Sequence, residues 1–145
     1  MKKLVLLFFF VLLHTSFTQR EITWVAIGDS ITYLNEHPDE TGNRITKGYM
    51  TGVVEKLPAF HYINKGYNGW TAVKIATDIE KLNIPSADVY SIFLGTNDWW
   101  GSKQLGTLAD YENNTGVATV QGSFRVIINK LRSLNAQAKI VLITP

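Results

Sequence analysis

Apolar positions fall along this chain in short runs, separated by stretches of helical spacing. Residues 22–27 (ITWVAI) are mostly apolar or β-branched and stop at Gly28, the pattern of a buried strand. Residues 31–46 are polar and include NEHPDETGNR, which predicts a long loop. Tyr49, Met50, Val53, Val54 and Leu57 then recur at helical spacing until Pro58. Residues 61–64 predict a second short strand, followed by a glycine-rich turn, KGYNGW. Val73, Ile75, Ala76, Ile79 and Leu82 define one face of a helix starting near Thr71. Residues 89–94 predict a third strand, ending at Gly95, and residues 99–118 a polar and aromatic loop. Val120, Phe124, Ile127, Ile128, Leu131 and Leu134 mark the clearest amphipathic helix, with Thr119 as its N-cap. Residues 139–144 predict a fourth strand.

Strands alternating with helices imply βαβ units, hence a parallel sheet with helices on both faces. Runs of continuous rather than alternating hydrophobicity agree with burial on both sides. In such sheets functional groups gather at the carboxyl ends of the strands. Three predicted strand ends carry polar clusters: Gly28-Asp29-Ser30, residues 64–69, and Gly95-Thr96-Asn97-Asp98. They are expected side by side on one edge.

The first 18 residues read differently. Lys2 and Lys3 precede an apolar run over residues 4–13, and small or polar residues follow. That order predicts a secretory signal at residues 1–18, cleaved after Thr18, and a domain over 19–145. The run is short for a bilayer span, so no stable membrane anchor is expected after cleavage. The expected location is secreted or periplasmic. The formal charge of +2 comes from Lys2 and Lys3. Without them basic and acidic residues balance, which gives no basis for nucleic-acid binding. The chain has no cysteine, which excludes a disulfide framework and a thiolate zinc site. No cluster of other ligands points to a metal, and no cofactor is called for.

A serine hydroxyl needs a base to attack an acyl group and donors to hold the oxyanion that results. Ser30 at a strand end exposes a hydroxyl. A glycine N–H and an asparagine side-chain amide at the neighbouring turns are candidate donors. Simpler readings stand beside these. Ser30 could cap the segment after it, and Asp29 reads as a turn-fixing hydrogen-bonding residue. Gly69 could serve only a left-handed turn. Either Asn97 or Asp98 could cap a helix. Trp99 and Trp100 could line an acyl or sugar subsite, or pack the loop onto the domain.

The three blocks GDSIT (28–32), NKGYNGWT (64–71) and GTND (95–98) resemble the first three blocks of the SGNH, or GDSL-type, esterase and lipase superfamily. A lone G-D-S is weak evidence; three blocks in order, each at a predicted strand end, are far more specific. The resemblance covers residues 22–145. It implies a flavodoxin-like three-layer α/β/α sandwich with a parallel sheet. It implies Ser30 as nucleophile, with the Ser30 N–H, Gly69 and Asn97 as the oxyanion hole. The implied activity is that of a serine esterase or acylhydrolase working through an acyl-serine intermediate. Small acyl esters or acetylated carbohydrate are the expected substrates.

Two departures stand out. Trp70 occupies a position often acidic in the family, which is expected to alter the pocket wall. The family's D-x-x-H block, carrying the triad acid and base, has no match in these 145 residues. His37 lies in the loop after Ser30, as a substitute base at best, and His61 opens a strand. The sequence also shows four of the family's five strands. The chain is therefore expected to be the N-terminal portion of a longer enzyme and inactive alone. The competing expectation is a non-catalytic flavodoxin-like domain whose turns bind an anionic or glycan ligand.

Overall fold

The computed structural model describes residues 20–144; the predicted signal lies outside them. Four strands, β1 (Ile22–Gly28), β2 (Phe60–Gly66), β3 (Val89–Phe93) and β4 (Lys139–Ile143), form one parallel sheet in the order β2-β1-β3-β4. Gly28 is in register with Gly66 on one side and Phe93 on the other. The carboxyl ends of β2, β1 and β3 therefore lie level on one edge, as the strand-end clusters require.

Six helices connect or follow the strands: α1 (Ser30–Tyr33), α2 (Tyr49–Lys56), α3 (Ala72–Asp78), α4 (Thr96–Trp100), α5 (Leu108–Glu112) and α6 (Val120–Leu134). Successive side chains of a strand point to opposite faces, and β1 shows the consequence. Val25 and Ile27 join Tyr90, Ile92 and the apolar faces of α3 and α6 in the larger core. Trp24 and Ala26 join Met50 of α2 in a smaller core on the other face. There the Trp24 indole donates to the buried Ser91 hydroxyl at 2.9 Å. Helices cover both faces, so the fold is the expected three-layer α/β/α arrangement. Val141 and Leu142 of the edge strand β4 remain 47% and 55% exposed.

The two predicted loops need correction. Residues 31–46 hold α1 and two single turns of 3-10 helix, Leu34–Glu36 and Pro38–Thr41. Residues 99–118 include the end of α4 and all of α5, whose Thr107 and Asp110 form a capping box. Each piece has three to five residues, too short for an apolar period to show. Side-chain caps start two of them, Asp29 at α1 and the Thr107–Asp110 box at α5. Thr119 caps α6 as predicted, accepting from the Gly122 N–H.

Candidate active site

Ser30 is the first residue of α1, with only Asp29 between it and the end of β1. The cap of that helix is Asp29, not Ser30: its carboxylate accepts from the Ile31 N–H at 3.0 Å. None of the hydrogen bonds fixing this turn uses the Ser30 hydroxyl. The serine is half-buried, while Asp29 beneath it is only 2% exposed. Burial pushes the Asp29 carboxyl above the ordinary carboxylate range; the nearby Asp98 charge adds to this, and the Ile31 N–H opposes it.

α1 lies almost directly on β2. A Cβ added to Gly66 would sit 2.2 Å from the Tyr33 backbone nitrogen, so only glycine permits this approach. Asn64, on the same strand end, donates to the Thr32 carbonyl at 3.0 Å and accepts from the Gly66 N–H at 2.8 Å. A strand-end asparagine thus ties the serine's helix to the second block. Its polarity at the end of an apolar strand was the only trace of this in the sequence.

The second block continues as a turn over residues 67–70. The Tyr67 N–H donates to the Gly28 carbonyl at 2.9 Å, stitching the turn to the end of β1. The Trp70 N–H closes the turn onto the Tyr67 carbonyl at 3.1 Å. Gly69 has φ of +74°, in the left-handed region where a side chain is disfavoured. That closing bond uses the Trp70 N–H, not the exposed Gly69 N–H. The Trp70 ring stacks on Tyr67 with centroids 4.5 Å apart, and the Lys74 ammonium lies 5.1 Å above the Trp70 ring.

The third block begins α4. Asn97 donates its side-chain amide to the Trp70 carbonyl at 2.9 Å. A carbonyl only accepts, so this contact fixes the –NH2 end of the side chain toward the turn. One of its two N–H bonds remains for another acceptor. Asp98 is the member of the pair that binds a helix start, that of α3, whose N-cap is Thr71. Its buried carboxylate accepts from the Ala72 N–H at 2.7 Å and the Val73 N–H at 3.4 Å, at the start of α3.

Trp99 and Trp100 do not pack onto the domain: they are 82% and 78% exposed. Trp99 borders a groove of about 540 Å³ that starts at Gly95 and Asp98 and runs past Leu105 and Phe124 to Leu142. The histidines stand apart from this arrangement. His61 pairs in register with Thr23 at the start of the sheet, roughly 16 Å along the strand from Gly66. Its Nε2 lies 3.4 Å from a Glu21 carboxylate oxygen. His37 stacks on Tyr33, and its Nδ1 is 2.8 Å from the Tyr33 carbonyl. That carbonyl must accept, so Nδ1 carries the proton there. Among the described residues neither histidine hydrogen-bonds to Ser30, and no group of three or more His, Asp or Glu side chains could hold a metal ion.

The model of the GDSL-like lipase/acylhydrolase family matches residues 26–145. Among solved structures, that of a possible lipase from Chitinophaga pinensis is 62% identical, with a TM-score of 0.85 over 86% of this chain and 49% of that one. A catalytic mutant of an acetylxylan esterase from Geobacillus stearothermophilus shares the fold at 23% identity, with a TM-score of 0.59 over 87% of this chain and 60% of that one. The chain thus spans half to three fifths of the length of these two structures. No curated protein sequence matches it. With three strand-end blocks on one sheet edge and a family match across nearly all the described residues, the chain belongs to the GDSL-like lipase/acylhydrolase family.

Proposed function

We propose that this chain carries the nucleophile and oxyanion hole of a secreted serine esterase. The carrying observation is that the Ser30, Gly69 and Asn97 turns lie on adjacent strand ends and are laced together, with the Asn97 amide oriented by the Trp70 carbonyl. In this reading the Ser30 Oγ attacks the ester carbonyl carbon and its proton passes to a base. The carbonyl oxygen, now negative, receives the Ser30 N–H, the Gly69 N–H and the spare Asn97 N–H. Collapse breaks the ester bond and releases the alcohol, which takes up the proton. Water then hydrolyses the acyl-Ser30 ester. The base belongs to the family's D-x-x-H block, which these residues do not contain, so residues 19–145 alone are expected to turn over little or no ester.

The proposed substrates are small acyl esters, with acetyl groups on carbohydrate the favoured class. Two exposed tryptophans beside the oxyanion turn support this, since aromatic faces suit sugar rings. So does the presence of an acetyl xylan esterase and an acetyl-xylooligosaccharide esterase among similar folds. Export rests on the charged, apolar and small-residue order of residues 1–18. No helix of the described residues is long and apolar enough to cross a membrane.

The test is hydrolysis of p-nitrophenyl acetate by the full-length gene product, together with labelling by a fluorophosphonate probe. Turnover and labelling that both vanish in Ser30→Ala are expected. A full-length protein that neither hydrolyses nor labels would overturn the reading in favour of a binding domain.

A further inference from the structure

We infer that Asp98 is a positioning residue for the oxyanion hole, acting through Asn97 and the turn that carries Gly69. The inference rests on the reading of those two residues as oxyanion donors. A helix start leaves its first N–H groups without partners inside the helix. In α3 the ordinary cap is present: Thr71 accepts from the Lys74 N–H through its own side chain at 3.0 Å. The Ala72 and Val73 donors are satisfied from elsewhere, by the carboxylate of Asp98, 26 and 25 positions along the chain. Asp98 is 3% exposed, and a buried carboxylate is held by such donors and by the positive end of the helix.

The geometry gains its meaning from the residue next door. Asn97 donates to the Trp70 carbonyl, two residues before the first Asp98 contact. Adjacent residues of α4 therefore grip residues 70–73 at two points with opposite chemistry, an amide donor on a carbonyl and a carboxylate on two N–H groups. A single contact would leave the turn, already tied to β1 through the Tyr67 N–H, free to swivel relative to α4. Two contacts of opposite sense fix both its distance and its rotation relative to α4. Gly69, one residue before the gripped segment, has no such contact of its own, and the space around it is open. The Tyr67 N–H on the Gly28 carbonyl anchors the turn to β1, and the grip sets how the Gly69 N–H is placed relative to α4. The relative placement of the Gly69 and Asn97 donors is thus set by Asp98, which would touch no substrate.

The experiment compares Asp98→Ala and Asp98→Asn in the full-length gene product. Asn keeps an oxygen for the Ala72 N–H; Ala removes it. Kinetics with p-nitrophenyl acetate are normalised to sites titrated by fluorophosphonate, and thermal midpoints are measured separately. For Asp98→Ala the expectation is a kcat about ten- to a hundredfold lower, the scale of a misplaced catalytic group, with KM within twofold. Asp98→Asn is expected to recover most of that loss. Wild-type kcat per titrated site in Asp98→Ala, with only the thermal midpoint lowered, would reduce Asp98 to a structural cap and overturn the inference. If Asp98→Ala does not fold, amide exchange in Asp98→Ser, whose short hydroxyl cannot replace both carboxylate contacts, decides: faster exchange of both the Ala72 N–H and the Asn97 side-chain amide than in Asp98→Asn supports positioning, and an Asn97 amide no faster than in wild type refutes it. Should the wild type prove inactive, the esterase reading fails on its own, and the same exchange measurement still reads the grip.

Discussion

Asn97 spans 27 positions of chain to donate its side-chain amide to the carbonyl of Trp70, at 2.9 Å. The bond joins the third strand-end turn to the second and orients the amide before any substrate arrives. Its acceptor is main chain, so it does not depend on which side chain position 70 carries. The Trp70 ring instead stacks on Tyr67 beneath Lys74, and both rings pack against the larger core. The contact also sets the cost of losing Asn97. In Asn97→Ala kcat for p-nitrophenyl acetate is expected to fall by about 10²–10³, as for other single oxyanion donors, with KM little changed. Steady-state kinetics of the full-length protein check this.

Among the described residues the Ser30 side chain makes no hydrogen bond that holds α1, which Asp29 caps. Ser30→Ala is therefore expected to abolish fluorophosphonate labelling and ester turnover while leaving stability within about 0.5 kcal/mol. Urea unfolding beside activity assays separates the two effects.

Gly69 and Gly66 are expected to respond very differently to alanine. At Gly69 the added Cβ meets open space, and only φ of +74° opposes it, a strain of about 1–2 kcal/mol. At Gly66 the Cβ would collide with the Tyr33 backbone at 2.2 Å. That main chain cannot turn aside as a side chain could, so a loss of about 3 kcal/mol or more is expected. Denaturant midpoints of the two variants give the comparison, and equal losses would contradict it.

Asp29 gives a pH prediction. Burial raises its carboxyl in the folded state, so the folded protein holds the proton more tightly than the unfolded chain does. The protonated form's advantage is complete below the ordinary carboxylate value and is lost as pH rises through the raised one. Asp29→Asn keeps an oxygen for the Ile31 N–H and cannot ionise. Stability of wild type relative to Asp29→Asn is expected to fall with rising pH across that window and then level off. Unfolding free energies from pH 3 to 8 would show it, and a rise would count against the burial argument.

Trp99 and Trp100 are too exposed to contribute much to folding. Replacing either with alanine is expected to change stability by less than about 0.5 kcal/mol. Turnover of acetylated xylo-oligosaccharides is expected to drop, with p-nitrophenyl acetate spared. Equal loss on both substrates would remove the sugar-subsite reading.

The major elements were legible because each leaves a local pattern. Continuous apolar runs ending at Gly28 and Gly95 marked buried strands, and the spacing from Val120 to Leu134 marked α6. The short helices over residues 30–41 and 108–112 were not legible, since they are too brief to carry a period. Ser30, Gly69 and Asn97 were legible as candidates because they follow predicted strands. Their supports were not. Asn35, in a segment that reads as loop, is buried and accepts from the Met50 N–H at 3.1 Å and the Thr51 N–H at 3.3 Å, supplying the cap that Gly48 lacks for α2.

The sequence by itself determined the alternation of strands and helices, the family blocks and their placement at strand ends, because hydrophobic period and glycine breaks act between near neighbours. It left open whether Ser30 or Asp29 caps α1, and whether Asn97 or Asp98 caps a helix. Only the tertiary structure decided these: Asp29 caps α1, the Asp98 carboxylate takes the first N–H groups of α3 beside its Thr71 cap, and Asn97 turns toward the Trp70 carbonyl. The physical reason is that a side-chain amide or carboxylate satisfies whichever backbone group the fold brings within about 3 Å. For Asn97 and Asp98 that partner lies some 25 residues away in sequence, where no local pattern announces it.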